Sequence, residues 1–129
     1  MKKIYLNEDN GHFYSYRKPE EMTEKGVYEL VDFYAKGRQL KGILFCTNVQ
    51  SALFSSNAWE KLYHNYNPIK GSEQNVLKFL YTWAPPETRQ VDNINQGRRW
   101  IHNLYLLEKR GIDHIALWLS RCKKHNIEG

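Results

Sequence analysis

Cysteine is scarce in this chain: two residues, Cys46 and Cys122, in 129. Two cysteines so far apart have no metal-ligand spacing, and each sits in an apolar context, so two reduced, buried thiols are expected, with a disulfide between them left open. The five histidines, His12, His64, His102, His114 and His125, form no His-x-x-x-His pair and no Cys/His cluster, which removes support for a zinc site. Gly-x-Gly-x-x-Gly, the P-loop and Gly-x-Ser-x-Gly are all missing, which disfavours dinucleotide, phosphate and serine-hydrolase chemistry. Neither a metal nor a cofactor is expected.

Long hydrophobic runs are missing too. No stretch approaches the roughly 18 to 20 apolar residues of a membrane span, and Met1-Lys2-Lys3 is followed by only Ile4-Tyr5-Leu6 before Asn7, so neither a membrane partner nor a secretory leader is expected. The expected location is the cytoplasm. Charge of a single sign is not concentrated anywhere. The net charge is +5, but the basic residues are scattered, and the densest groups are the short pairs Arg98-Arg99, Lys109-Arg110 and Lys123-Lys124. A nucleic-acid partner is therefore disfavoured.

What is present is a hydrophobic content of 41%, enough for a core, in a length that suits one domain. "MTEKGVYELVDFYAKG" places Val27, Leu30, Val31 and Tyr34 on one helical face, with Thr23 as N-cap and Gly37 as stop. "KGILFCTN" is a short apolar run that suits a strand buried on both faces. With the opening "IYL", strand, helix and strand make a right-handed βαβ unit. Between Val49 and Ile94 the chain is broken by turn residues, and "NAWEKLYHNY" and "SEQNVLKFLYTWA" are each candidates for a short helix. So long an excursion reads as a functional insertion. "NQGRRWIHNLYLLEKRG" predicts a helix with Gly111 past its end, and "IDHIALWLSRCKKHNIEG" a second, with Asp113 as N-cap and Ile115, Trp118, Leu119 and Cys122 as its stripe.

Two parallel strands do not make a stable sheet on their own, and "KKHNIEG" reads as a helix end plus the connection that feeds another parallel strand. Residues 1–129 are therefore expected to be a single incomplete domain, the N-terminal part of a larger α/β protein. The alternative is a small complete domain with a further strand in "NVLKFLYTW". An exposed edge on the second strand predicts self-association.

The layout resembles a family of uncharacterised bacterial proteins with a glycoside-hydrolase-like TIM barrel. The resemblance is carried by a first strand ending in Asn7-Glu8-Asp9 with Phe13-Tyr14 just after, a Pro19-x-x-Met22-Thr23 helix opening, Cys46-Thr47-Asn48 closing the second strand, and "LLEKRGIDHIALWLSRCKKHNIE". It covers both ends of the chain and is weak from about Trp59 to Asn95. It implies the N-terminal part of a (β/α)8 barrel, about two β/α units with an irregular insertion after the second strand, handling a carbohydrate ligand at the strand C-terminal ends.

Within that reading the substrate-binding candidates are Asn7, Asp9, Tyr14, Asn48 and Trp59. Asn7 and Asn48 stand at matching strand ends, where short amides can fork onto sugar hydroxyls. Asp9 belongs to "DNG", which is equally a plain turn signal. Tyr14 and Trp59 offer flat faces for stacking on sugar rings, and Phe13 and Tyr16 read as core. No residue is assigned a catalytic role. Glycoside hydrolysis needs two carboxyl groups about 5 to 9.5 Å apart across the scissile bond, whereas adjacent Glu8 and Asp9 on an extended strand point to opposite faces. The competing readings are a non-catalytic carbohydrate-binding or interaction domain and, behind it, a basic nucleic-acid-binding module.

Overall fold

The structure, a computed structural model, describes residues 3–37, 39–48, 51–70 and 91–129, with residues 91–94 described by their backbone alone. Strand β1 (Ile4–Glu8) pairs in parallel with β2 (Leu40–Phe45), and Asn7 stands opposite Leu44 and Glu8 opposite Phe45. Between them run α1 (Gly11–Tyr16), a single 3-10 turn at Pro19–Glu21, and α2 (Glu24–Ala35). Past β2 the described residues 46–48 and 51–70 form a loop, and the next described elements are α3 (Val91–Lys109) and α4 (His114–Lys124). The arrangement is mixed α/β, as expected.

The helix boundaries follow from local chemistry. Thr23 accepts the Gly26 N–H and Asp113 the Ala116 N–H, so two orphan donors at helix starts are satisfied by the residues expected to cap them. Both α3 and α4 close with paired backbone bonds. Gly111 and Ile112 donate to Glu108 and Leu107, and Asn126 and Ile127 donate to Lys123 and Cys122, with Gly111 and Asn126 in the left-handed region.

The second closure steers the chain back to the sheet. Glu128 donates its N–H to Lys41 O and accepts from the Ile43 N–H, both at 2.9 Å, a parallel bridge to Gly42 on the side of β2 away from β1. The feed toward a further parallel strand expected of "KKHNIEG" is thus seen as one bridge. On the open face the Tyr5 ring crosses Gly42 so that its hydroxyl reaches Glu128 Oε2 at 2.8 Å, and a Cβ at Gly42 would sit 2.7 Å from that ring.

The described helices cover one face of the sheet. Ile43 is fully buried and Phe45 stacks on Trp118, while Tyr5, Asn7 and Leu44 on the opposite face are exposed. The expectation that β2 is buried on both faces is therefore corrected, because among the described residues no element covers the Leu44 side. The core itself is built from Phe13, Met22, Val27, Val31, Ile101, Leu104, Leu107 and Trp118. α1 lies on α3 and α2 on α4. Asn103 of α3 donates to the carbonyls of Tyr14 and Arg17, satisfying the end of α1.

"NAWEKLYHNY", a candidate for a short helix, forms bends and turns. Its backbone bonds go elsewhere: Ala52 donates to Glu60 O and accepts from the Leu62 N–H, and Asn65 is left-handed. "SEQNVLKFLYTWA" and the strand alternative in "NVLKFLYTW" lie outside the described residues.

Gly26 carries a clear stability prediction. A Cβ there would overlap the Glu21 carbonyl oxygen, a main-chain atom that cannot swing aside. Gly→Ala inside a helix ordinarily gains about 1 kcal/mol, but Gly26→Ala is expected to lose about 2 kcal/mol through overpacking. Urea unfolding measures the sign, and a gain in stability would refute the contact.

Candidate functional site

The C-terminal ends of β1 and β2 carry most of the polar residues singled out from the sequence. Asn7 is exposed in strand phase, on the open face of the sheet. Asp9 is exposed, and its Oδ1 accepts the Gly11 N–H at 3.1 Å, so it both faces solvent and closes the turn into α1. Asn48 is exposed just beyond β2, where it bridges Ala52 and its carbonyl accepts the Cys46 S–H at 3.0 Å. Cys46 is half-buried, not fully buried as expected, and both cysteines are free.

Glu8, the other carboxylate of the strand end, points to the helix side and is buried. Its Oε1 accepts the Asn10 N–H at 2.8 Å, and its Oε2 takes a short hydrogen bond from the Tyr34 hydroxyl. Burial and this carboxylate together push the Tyr34 phenol well above its ordinary range, so Tyr34 stays a donor. Asn10, left-handed and fully buried, donates from Nδ2 to Cys46 O at 2.6 Å and so fastens the β1 turn to the end of β2. Its Oδ1 is buried with no hydrogen-bond partner among the described residues.

One grouping was not foreseen. A ring nitrogen of His12 comes within 4.8 Å of carboxylate oxygens of Glu8 and Asp9, the loose spacing of a divalent-cation site. The signal in the sequence was the i, i+4 spacing of Glu8 and His12 across a turn. The ligand atoms are already engaged: Glu8 by Tyr34, Asn10 and His12, whose Nδ1 lies at 3.3 Å, and Asp9 by Gly11. A cation would have to displace these bonds.

Tyr14 is placed in the core and not on the rim. It is fully buried, its hydroxyl lies 2.9 Å from His114 Nε2, and its ring stacks on Trp100 and meets Phe13 edge-on. The same chain direction that brings Phe13 and Tyr14 onto one helical turn carries both inward. Phe13 is core as expected, whereas Tyr16 is 64% exposed, against expectation.

Trp59 lies on the post-β2 loop and is 58% exposed. The backbone that carries it is tied down, because the Ser56 hydroxyl accepts the backbone N–H groups of both Ala58 and Trp59. The ring borders a shallow depression lined by Ser56, Asn57, Glu60, Lys61 and His64. An exposed indole on an anchored loop, ringed by hydrogen-bonding side chains, suits stacking on a polar ligand with an apolar face. Of the five substrate-binding candidates, then, Asn7, Asp9, Asn48 and Trp59 face solvent and Tyr14 does not.

Compared with known proteins, the chain matches no protein-family model and no curated sequence.

Proposed function

We propose that the chain supplies the opening β/α units of a (β/α)8 barrel that handles carbohydrate, its rim residues positioning the ligand while the catalytic carboxylates stand on later strands. The observation that carries this reading is the order and sidedness of the sheet. β1, β2 and the Glu128 bridge follow one another edge to edge in parallel, with helices on one face and Tyr5, Asn7 and Leu44 open on the other. A barrel keeps its strand order sequential and its helices outside throughout, which this portion matches; a doubly wound sheet matches it only up to the point where its strand order reverses. On that frame the Leu44 side is the barrel interior, and Asn7, Asp9 and Asn48 lie at the C-terminal rim, where barrels hold their ligands.

Two features of this portion suit sugar and not a polyanion: the rim is amide and carboxylate, and an exposed indole, Trp59, stands on a loop whose backbone Ser56 anchors. Tyr14 enters only indirectly, as the residue that packs α1 beneath the rim. The parallel edges left open among the described residues also support self-association of the isolated chain.

Titrating intrinsic tryptophan fluorescence with a panel of neutral oligosaccharides tests the reading. Trp118 is buried and Trp100 half-buried, so the exposed Trp59 is expected to dominate any response among these three. A saturable shift that disappears in Trp59→Ala supports sugar stacking, and Asn7→Ala or Asn48→Ala is expected to weaken it about five-fold, the worth of one hydrogen bond of ~1 kcal/mol. A flat signal across the panel would overturn the proposal.

A further inference from the structure

A cavity of ≈ 270 Å³ lies away from the strand-end rim, where the post-β2 loop meets the end of α3 and the start of α4. Leu104, Leu107 and Tyr63 give it an apolar floor, and its polar wall is Glu108, Asp113 and His114. At Gly111, which also borders it, a Cβ would meet no atom within 4 Å, so the left-handed turn leaves the mouth open. The volume sits near the lower end of the range for small-molecule sites, roughly 300 Å³, and suits a ligand of about monosaccharide size.

The charges on the wall are settled by their partners. Glu108 takes both Lys61 bonds, at 2.8 and 3.0 Å, and these together with the Tyr63 and Ser55 hydroxyls hold its carboxyl below the ordinary range. Asp113 spends one oxygen on the Ala116 N–H. His114 is neutral, since burial drives its imidazole down to about 4 while Tyr14 and the Leu53 carbonyl occupy its ring nitrogens. Lys61 matches one of the two carboxylates, so the wall keeps the charge of the other beside the negative C-terminal end of α3, and an incoming cation shares Glu108 with Lys61. The positive N-terminal end of α4 is already satisfied by its Asp113 cap.

We infer that this cavity binds a small organic cation, a primary amine or guanidinium whose head lies between Glu108 and Asp113 and whose body rests on Leu104, Leu107 and Tyr63. The inference stands apart from the carbohydrate reading, since none of Asn7, Asp9, Asn48 and Trp59 lines the cavity, although Lys61, the partner of Glu108, also borders the Trp59 depression. An anion would meet like charge on the wall. A neutral molecule of the same shape would use the floor alone and forgo the charge-assisted bonds.

Three probes of one shape decide it: benzylamine, benzyl alcohol and benzoate, each titrated into the full chain and followed by amide chemical shifts. Benzylamine is expected to saturate with shifts at Gly111, His114 and Ser55, benzyl alcohol to bind at least ten-fold more weakly, and benzoate not to bind. Glu108→Gln is expected to weaken benzylamine about ten-fold. Asp113→Asn, which keeps the cap because Asn caps as well as Asp, is expected to weaken it with the rest of the spectrum unmoved. Equal affinity for benzylamine and benzyl alcohol, or no saturation by benzylamine up to 10 mM, would overturn the inference, as would unchanged benzylamine binding in both variants. The oligosaccharide titration reads a different surface, so either proposal can fail without the other.

Discussion

Replacing Trp118 by alanine is expected to lower the free energy of unfolding by about 4 kcal/mol, the upper part of the range for deleting a buried aromatic. Trp118 is fully buried and is the residue on which four elements converge. Its ring stacks on Phe45 of β2 at 5.1 Å and meets Phe13 of α1 edge-on at 5.2 Å. Its indole N–H donates to Val27 O of α2 at 3.0 Å, while the residue itself belongs to α4. Alanine would remove the apolar area and leave a void whose walls are backbone-anchored on different elements, so collapse around it is limited. Trp118→Phe separates the contributions, because it keeps the stacking and loses the hydrogen bond, with an expected cost of about 1 to 2 kcal/mol. Urea unfolding monitored by circular dichroism measures both. A cost below about 1 kcal/mol for the alanine variant would mean that the four elements hold together without this ring.

The elements legible in the sequence were those whose information is local. Thr23 and Asp113 announce α2 and α4 because capping chemistry acts within three residues, and the apolar run ending in Thr47-Asn48 announces β2. The elements that were missed draw on distant partners. "GHFYSY" is too short to hold a helix by itself; it is one here because Asn103, some 90 residues on, takes the carbonyls of Tyr14 and Arg17. The "NAWEKLYHNY" segment has helical periodicity, but Ala52 captures its backbone bonds. The candidate site divides in the same way. Exposure of Asn7 and Asp9 follows from the strand phase and turn at the end of β1. The inward course of Tyr14 depends on His114, 100 residues away, and Glu8 owes its burial to Tyr34 on α2. The Glu108 cavity was out of reach, since three separate segments line it.

A fall in pH from 7 to 4 is expected to cost the fold about 3 kcal/mol through His114 alone. The imidazole is buried, and burial lowers its pKa from 6.5 to about 4; the neighbouring Asp113 charge opposes that shift without cancelling it. In the unfolded chain His114 takes up a proton as pH falls through about 6.5, whereas the native state stays neutral until about 4. Over that interval the unfolded state binds more protons, so stability rises with pH, and the loss builds up from about 6.5 downward and is complete below about 4. A difference of about 2.5 units at ~1.36 kcal/mol each sets the size. Tyr14, the Leu53 carbonyl, Asp113 and the Trp118 ring face this group, and Glu108 shares its cavity; His102, whose pKa burial also lowers, adds a change of the same sign. Asp32 acts elsewhere on the scale: Arg121 and His125 hold it near 2, so its contribution is intact above the ordinary carboxylate range and is lost only as pH falls toward 2. Glu108 and Glu128, which Lys61 and Lys41 hold below the ordinary carboxylate range, begin to lose their contributions only near pH 4.5, so of urea midpoints at pH 7, 6, 5 and 4.5 the first three isolate the histidines. His114→Gln should flatten most of the slope while lowering stability at pH 7, because the amide replaces the Tyr14 bond imperfectly. A wild-type midpoint that is level across these four points would contradict a neutral, buried His114, and with it the charge balance of the cavity it borders.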